Sequence, residues 1–329
     1  YTPPHMTNYE GVRLIPIHSW HTKHFDAITH TFLSLAHAVT TKPDVIHIHG
    51  VGPALLAWIP RLFAPRTKTI VTFHCIDRNQ QKWGWFARFI LRMGEWAACL
   101  FPHTTVVVSR VLEHYCAQVY HAKTTYITNG VELQSLPPGP VLARFGLKAE
   151  KYVLFLGRLV PHKGIHHLVS AWRLLREKKD PVISAYKLVI AGGSHFTDEY
   201  VASLKNVAQD DPTIIFTDWV RGAEVAELMG NCALFVHPSG VEGLPIVVLE
   251  AMAAKRPVLV SDILEHREII PDERCWYRFG DIADLASSMS VFLASSTLRS
   301  EIRKNNFERI QREYTWDHVV SALERIYKA

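Results

Sequence analysis

The sequence holds little of the chemistry that staples or anchors a chain. Its five cysteines (Cys75, Cys99, Cys116, Cys232 and Cys275) form no C-x-x-C pair and are odd in number. That argues against a zinc site or a disulfide frame and for reduced thiols in a cytosolic protein, each cysteine a small buried hydrophobe. No apolar run approaches the roughly 18 residues needed to cross a bilayer, and no secretory leader is expected. Neither G-x-G-x-x-G nor G-x-x-x-x-G-K-[ST] occurs, which disfavours a dinucleotide oxidoreductase or a P-loop nucleotidase. Short internal repeats and low-complexity segments are missing too.

What is present is an ordinary globular composition, 48% hydrophobic and 20% charged over 329 residues, long enough that two domains are the default. The net charge of +5 is unevenly spread. Residues 1–136 hold 12 Lys+Arg against 7 Asp+Glu, and the remainder is balanced. The basic excess of the first half points to an anionic partner there.

Short apolar runs alternate with segments of helical period. Strands are expected at Val12–Ile17, Val45–His49, Thr69–Phe73, Thr105–Val108 and Thr125–Ile127, with helices at Ala27–Thr40, Trp85–Leu100 and Val111–Tyr120. Proline and glycine cluster at Ser135–Pro140, and the pattern restarts with Val153–Leu156, Leu188–Ala191, Ile214–Thr217, Leu234–Val236 and Pro257–Val260. Such alternation predicts parallel sheets covered by helices. The expected division is a first doubly wound domain (1–136), a linker (137–150), a second doubly wound domain (151–313) and a closing helix (314–329) returning toward the first. Ligands of such sheets bind at the carboxyl ends of the strands, and two facing domains would make a cleft.

Two constellations could carry chemistry. In "PSGVEGLPIVVLEAMA", Glu242 and Glu250 stand eight positions apart in an otherwise apolar segment. Pro245 suits a first helical turn, so Glu242 precedes a helix whose N-terminal N–H groups favour an anion such as phosphate. Glu250 falls about 8 Å further along its axis. A phosphate flanked by two polyol-binding carboxylates describes a nucleotide-sugar. In an arbitrary sequence the two glutamates would be a helix cap and a solvated residue. Flanked by Val247, Val248, Leu249, Ala251 and Met252, Glu250 is instead expected to be buried and to need partners. In "LGRLVPHKG", Arg158 and Lys163 bracket a turn after the first strand of the second half. They read either as solvated cations or as a diphosphate clamp, Arg a planar fork and Lys a point charge.

Together the motifs resemble the family-4 retaining glycosyltransferases of the GT-B fold, which carry G-R-x-x-x-x-K-G and later P-S-x-x-E-G-x-x-x-x-x-x-E-A-M-A. The likeness continues in "AGGS", "FTDWV" and the closing "YTWDHVVSALERIY", and in the first half in "PDVIHIHG", "VTFHCID", "VVVSR" and "ITNGV". It implies a transferase moving a sugar from a nucleotide-sugar to a polysaccharide, glycolipid or lipid-linked acceptor with retention. It also implies catalytic roles for Arg158, Lys163, Glu242 and His74. Donor binding would fall to Gly157, Gly192, Val220, Gly243, Leu244, Pro245, Ile246, Val247 and Glu250, with Glu250 on the ribose. No metal or other cofactor is implied, since two cations and a helix N-terminus would hold the departing diphosphate. His162 stands where the family commonly has an acidic or amide residue. The family's first strand, glycine-rich loop and helix are expected to be missing, because ten residues before Gly11 are too few for them.

His47 and His49 lie on one face of a strand and read as a polar pair rather than a metal site. His49 and Asn129 are candidates for the acceptor side. The segment Asp77–Phe101 interleaves Arg78, Lys82, Arg88 and Arg92 with Trp83, Trp85, Phe86, Phe89 and Trp96. That fits equally a helix on an anionic membrane and a core helix with a basic edge. No nucleic-acid fold signature appears. Rival functions are a GT-B epimerase or phosphorylase, and a non-catalytic sugar-nucleotide-binding module.

Overall fold

The computed structural model describes residues 7–19, 26–79, 83–132, 135–194, 196–208 and 210–329. Lys82 therefore lies outside the described residues. Contacts divide the chain into two units. The first is Tyr1–Val108, Leu112–Tyr126 and Ile326–Ala329; the second is Ser109–Val111 and Ile127–Arg325.

The first unit begins with strands β1 (Asn8–Tyr9) and β2 (Val12–Arg13), an exposed antiparallel hairpin. The expected strand Val12–Ile17 is thus cut to two residues. Glu10 and Gly11 both take positive φ, which turns the chain back tightly, and Pro16 lacks a ladder donor. Then follow α1 (Asp26–Thr41), β3 (Val45–His49), α2 (Val51–Ala54), α3 (Trp58–Phe63), β4 (Lys68–Phe73), α4 (Trp85–Leu100), β5 (Thr104–Val107), α5 (Arg110–Tyr120) and β6 (Thr125–Tyr126). The four-stranded sheet is parallel in the order β3-β4-β5-β6. Its β-branched runs are buried, as parallel strands covered by helices require.

Helix α4 packs by small residues. Gly94 lies so close to α2 that a Cβ would come within 2.2 Å of the Val51 carbonyl oxygen. Beside it Glu95 is fully buried. Its carboxylate accepts two bonds from Arg78 Nε at 3.0 and 3.2 Å, one from the Tyr115 hydroxyl at 2.6 Å and one from the Tyr120 hydroxyl at 2.7 Å. The expectation that Arg78 helps to meet an anionic surface is therefore corrected: its guanidinium is committed to Glu95 and to Tyr115. A buried charge demands such partners.

The second unit holds α6 (Pro140–Arg144), β7 (Tyr152–Leu156), α7 (Ile165–Glu177), β8 (Lys187–Ala191), α8 (Asp198–Ala208), β9 (Ile214–Asp218), α9 (Ala223–Asn231), β10 (Leu234–His237), α10 (Ile246–Ala253), β11 (Val258–Ser261), α11 (Leu264–Ile269), β12 (Trp276–Tyr277), α12 (Ile282–Ala294), α13 (Ser296–Glu313) and α14 (Trp316–Lys328) as far as Arg325, the end of α14 from Ile326 on belonging to the first unit. The expected linker 137–150 is in fact part of this unit. Glu227 accepts from the backbone N–H groups of Gly139, Val141 and Leu142, while Val141 and Leu142 enter the core.

The six strands run parallel in the order β12-β11-β10-β7-β8-β9. The chain leaves β7 in one direction through β8 and β9, then returns to β7's other side with β10. The switch point is thus the crevice between the carboxyl ends of β7 and β10, where open α/β sheets bind ligands.

Replacing Glu95 with alanine removes the acceptor of Arg78 Nε and of two tyrosine hydroxyls. Urea denaturation should show a loss of about 3–5 kcal/mol. A loss under about 1 kcal/mol would mean that the network adds no more than a surface pair does.

Candidate functional site at the switch point of the second sheet

The two loops at the switch point are held by backbone geometry. Gly164, at φ +68°, lies under the loop after β10, and a Cβ there would come within 2.1 Å of the Pro238 carbonyl oxygen. Gly240 N–H donates to His162 O at 2.9 Å, and the Ser239 hydroxyl donates to the same oxygen at 3.2 Å. On the other side of β7, Gly192 sits at φ +138° with no room for a side chain, 1.9 Å separating a Cβ from Gly157 O. Gly157 N–H donates to Ala191 O at 3.0 Å and Gly192 N–H to Asp218 O at 3.0 Å. The ends of β7, β8, β9 and β10 are thus tied together.

This scaffold brings Lys163 and Glu242 into contact. Lys163 Nζ donates to Glu242 Oε1 at 2.5 Å, with both side chains largely buried. His237, the last residue of β10, places its Nε2 2.9 Å from the same oxygen. Burial works to raise the Glu242 carboxyl, but Lys163 and His237 outweigh it and hold the group well below the usual carboxylate range. Burial, then the Lys163 charge, keep the His237 ring below its usual value. Glu242 is not a helix cap: the cap of α10 is Pro245, which makes no side-chain capping bond.

Helix α10 is buried on most sides, through Val248, Leu249, Ala251 and Met252. Ile246 and Glu250, one turn apart, are exposed. The expectation that Glu250 is buried among partners is corrected. Its i, i+4 register with Ile246 turns it away from the sheet, and among the described residues its carboxylate has no hydrogen-bond or ion-pair partner. Partial loss of water still raises its carboxyl above the ordinary range. Among the described residues, the N–H groups of Gly243, Leu244, Ile246 and Val247 reach no protein acceptor, which suits an anion.

Of the other candidates in this unit, Arg158 is exposed on the loop after β7. Val220 is buried just after β9, and the neighbouring Trp219 lies against Gly193. Asn129 also belongs to this unit, half-buried beside Gly130, which packs on Trp316. His49 and His74 belong to the first unit. There His49 Nδ1 is 3.1 Å from His74 Nε2, and His47 stacks on His49 at 4.2 Å between centroids. His47 also bonds Thr72 Oγ1 and the Tyr327 hydroxyl. Burial first, then neighbouring histidines, lower His47 and His74 to about 4.

Sequence reasoning missed His237 and the group behind it. His266 is fully buried, with its Nδ1 2.9 Å from both the hydroxyl and the carbonyl of Ser261, whose hydroxyl in turn reaches Ser239 O. The available signal was the strand-ending histidine of "LFVHPSG", five positions before Glu242.

Residues 143–309 match the family Glycosyl transferases group 1, and residues 3–135 match Glycosyltransferase Family 4. The chain belongs to the group 1 glycosyl transferases. Within that family it is similar to an uncharacterized glycosyltransferase of Methanocaldococcus jannaschii, 32% identical over 54% of this chain and 45% of the relative. It is also similar to the phosphatidyl-myo-inositol mannosyltransferase of Mycobacterium leprae, 29% identical over 87% of this chain and 73% of the relative. The chain spans about half the length of the first of these. Its fold is that of sucrose-phosphate synthase from Thermosynechococcus elongatus, with a TM-score of 0.77 at 21% identity over 92% of this chain and 77% of that one. Anabaena HepE in complex with UDP-glucose shares it too, with a TM-score of 0.75 at 18% identity over 90% and 82%. Both are GT-B proteins built, like this chain, on two Rossmann-like units.

The neutral histidines set an acid limit on stability. An unfolded histidine binds its proton near pH 6.5, whereas folded His47 and His74 wait until about 4 and His266 until about 3. Between these values the unfolded state holds more protons, so stability is full above about 6.5 and falls as pH drops. Thermal unfolding followed by circular dichroism should show Tm declining from pH 7 to 4, less steeply for His47→Gln. Equal slopes would remove His47 from the account.

Proposed function

We propose that the full protein transfers a sugar, with retention, from a nucleotide-sugar to a polysaccharide, glycolipid or lipid-linked acceptor. The observation that carries this is the Lys163–Glu242 pair at the switch point, beside the N–H groups that open α10 and have no protein acceptor among the described residues. A carboxylate held ionised accepts hydrogen bonds from sugar hydroxyls. Next to it lie a cationic side chain and backbone donors suited to phosphate. In this reading Arg158 and Lys163 stabilise the diphosphate as it departs, Glu242 holds the sugar, Glu250 the ribose, and Val220 meets the base by its main chain. Gly157, Gly192, Gly243, Leu244, Pro245, Ile246 and Val247 line the donor. His74 acts at the sugar, and His49 and Asn129 serve the acceptor. The bond broken joins the anomeric carbon to the diphosphate; the bond formed joins that carbon, on the same face, to the acceptor oxygen. The departing phosphate takes the acceptor's proton, so no separate base is required, and Arg158, Lys163 and the N-terminus of α10 do for the diphosphate what a metal would. Support comes from family membership and from the UDP-glucose named in the HepE complex.

In the same reading the acceptor lies at an anionic membrane surface, where the protein is peripheral. No helix among the described residues is long and apolar enough to cross a membrane. Helix α4 instead exposes Trp85 (82%), Phe86, Phe89, Met93, Trp96 and Leu100 along one face, with exposed Arg88 and Arg92 at its edge, while the helix's one acid, Glu95, is buried. An apolar stripe with a basic flank is the pattern of an interfacial helix.

Three measurements test this. Calorimetry with UDP-glucose, then with GDP-, ADP- and dTDP-sugars, should find one donor class whose affinity falls by about tenfold or more in Glu250→Ala. Unchanged affinity would remove Glu250 from the ribose. Donor binding without turnover, when a lipid-phosphate acceptor is supplied to the full-length protein, would favour the binding-module reading. Sedimentation with phosphatidylglycerol-containing vesicles should carry down the protein and lose Trp85→Ser/Trp96→Ser. Equal recovery with purely zwitterionic vesicles would overturn the role of Arg88 and Arg92.

A further inference from the structure

His237 has no part in the roles assigned so far, yet its setting is built around one atom. The ring is fully buried at the end of β10. It lies near-parallel to Phe155 (6.1 Å, 4°) and Phe235 (6.2 Å, 12°), with His266 edge-on at 5.4 Å. These neighbours fix its plane. Glu242, as a carboxylate, only accepts, so the proton of the neutral ring must be on Nε2. Nδ1 is then a bare lone pair, buried and without a partner among the described residues. A polar ring that leaves one nitrogen unsatisfied in the core carries a desolvation penalty, and the hydrogen bond to Glu242 is what it gains in return.

Both donors converge on one oxygen. Lys163 and His237 meet Oε1, and among the described residues Oε2 meets neither them nor any other group. We propose that His237 is a positioning residue for Glu242: its Nε2–H and the Lys163 ammonium fix Oε1, which locks the carboxylate plane and leaves Oε2 to accept the donor-sugar hydroxyls. This rests on the reading of Glu242 as the sugar-binding carboxylate. Lysine alone cannot supply the lock. A flexible stem ending in a point charge fixes a distance, whereas a fully buried imidazole held near-parallel to two rings fixes a direction. Removing the charge of Glu242 abolishes the ligand itself; removing His237 leaves the ligand and frees its orientation.

The charged and titratable groups around Glu242 are Lys163, His237, His266 behind it and Glu265 of α11. The hydrogen bond from His237 is one of the interactions that lower its carboxyl, so its loss must move that group upward. Three forms are compared with wild type: His237→Leu, which keeps bulk; His237→Gln, whose amide reaches as far as Nε2; and His237→Asn, whose amide falls short. Protein carrying 13C-labelled glutamate is titrated by NMR from pH 7 downward, with the Glu242 signal identified by its absence from Glu242→Gln. The midpoint should rise by about one pH unit in His237→Leu and His237→Asn and return toward wild type in His237→Gln. Calorimetry with UDP and with UDP-glucose supplies the second readout. UDP-glucose should bind about tenfold more weakly to the Leu and Asn forms, while UDP, which lacks the sugar, binds all forms alike.

An unmoved Glu242 midpoint in His237→Leu overturns the proposal. So does equal weakening of UDP and UDP-glucose, which would mark general damage to the loops. If wild type binds neither ligand, the UDP-sugar reading fails at that step, while the titration still decides whether His237 governs Glu242.

Discussion

Everything at the switch point depends on one close approach. The loop after β7 can lie on the loop after β10 because residue 164 has no side chain and accepts a left-handed φ. With any Cβ in place, the Pro238 carbonyl would have to retreat, and with it Ser239, Gly240 and the segment that carries Glu242. The Lys163–Glu242 pair is therefore a consequence of backbone packing before it is a matter of charge. Two long side chains drawn together only by attraction would gain little at a surface. Here the backbone has already brought them together and removed most of their water.

Charge then acts on what packing has arranged. Burial by itself would favour a neutral Glu242. The Lys163 charge first, and then the hydrogen bond from the histidine at the strand end, outweigh it and keep the carboxylate ionised. The first unit uses the same physics differently. Glu95 is buried and fully engaged by Arg78, Tyr115 and Tyr120, so its charge fastens α4 and α5 to the turn after β4. One buried glutamate is saturated by its partners; the other keeps an oxygen unclaimed.

Much of this could be read from sequence because period and punctuation agree. Val45–His49 and Trp85–Leu100 are found as expected, since alternating apolar runs and a 3.6-residue period leave few other solutions. The paired motifs placed Lys163 and Glu242 on adjacent strand-end loops for the same reason. What could not be read was partnership. That Arg78 turns inward depends on a glutamate seventeen positions later being fully buried. Apolar neighbours along the sequence suggested a buried Glu250, but in a helix the face is set by residues three and four away, and Ile246 shares its exposed stripe. The linker failed similarly: proline and glycine mark a turn, yet Val141 and Leu142 just beyond it fill the core.

The ties among the four strand ends have a thermodynamic meaning. Gly157, Gly192, Gly240 and Leu159 each donate a backbone bond across to a neighbouring strand end or loop, so these segments lose their conformational freedom when the sheet forms. An arriving anion would meet a surface already ordered, and the entropy of fixing those loops belongs to folding, not to recognition. Ligands that differ in one group would then be sorted by the contacts of that group, with little averaging over rearrangements of the loops.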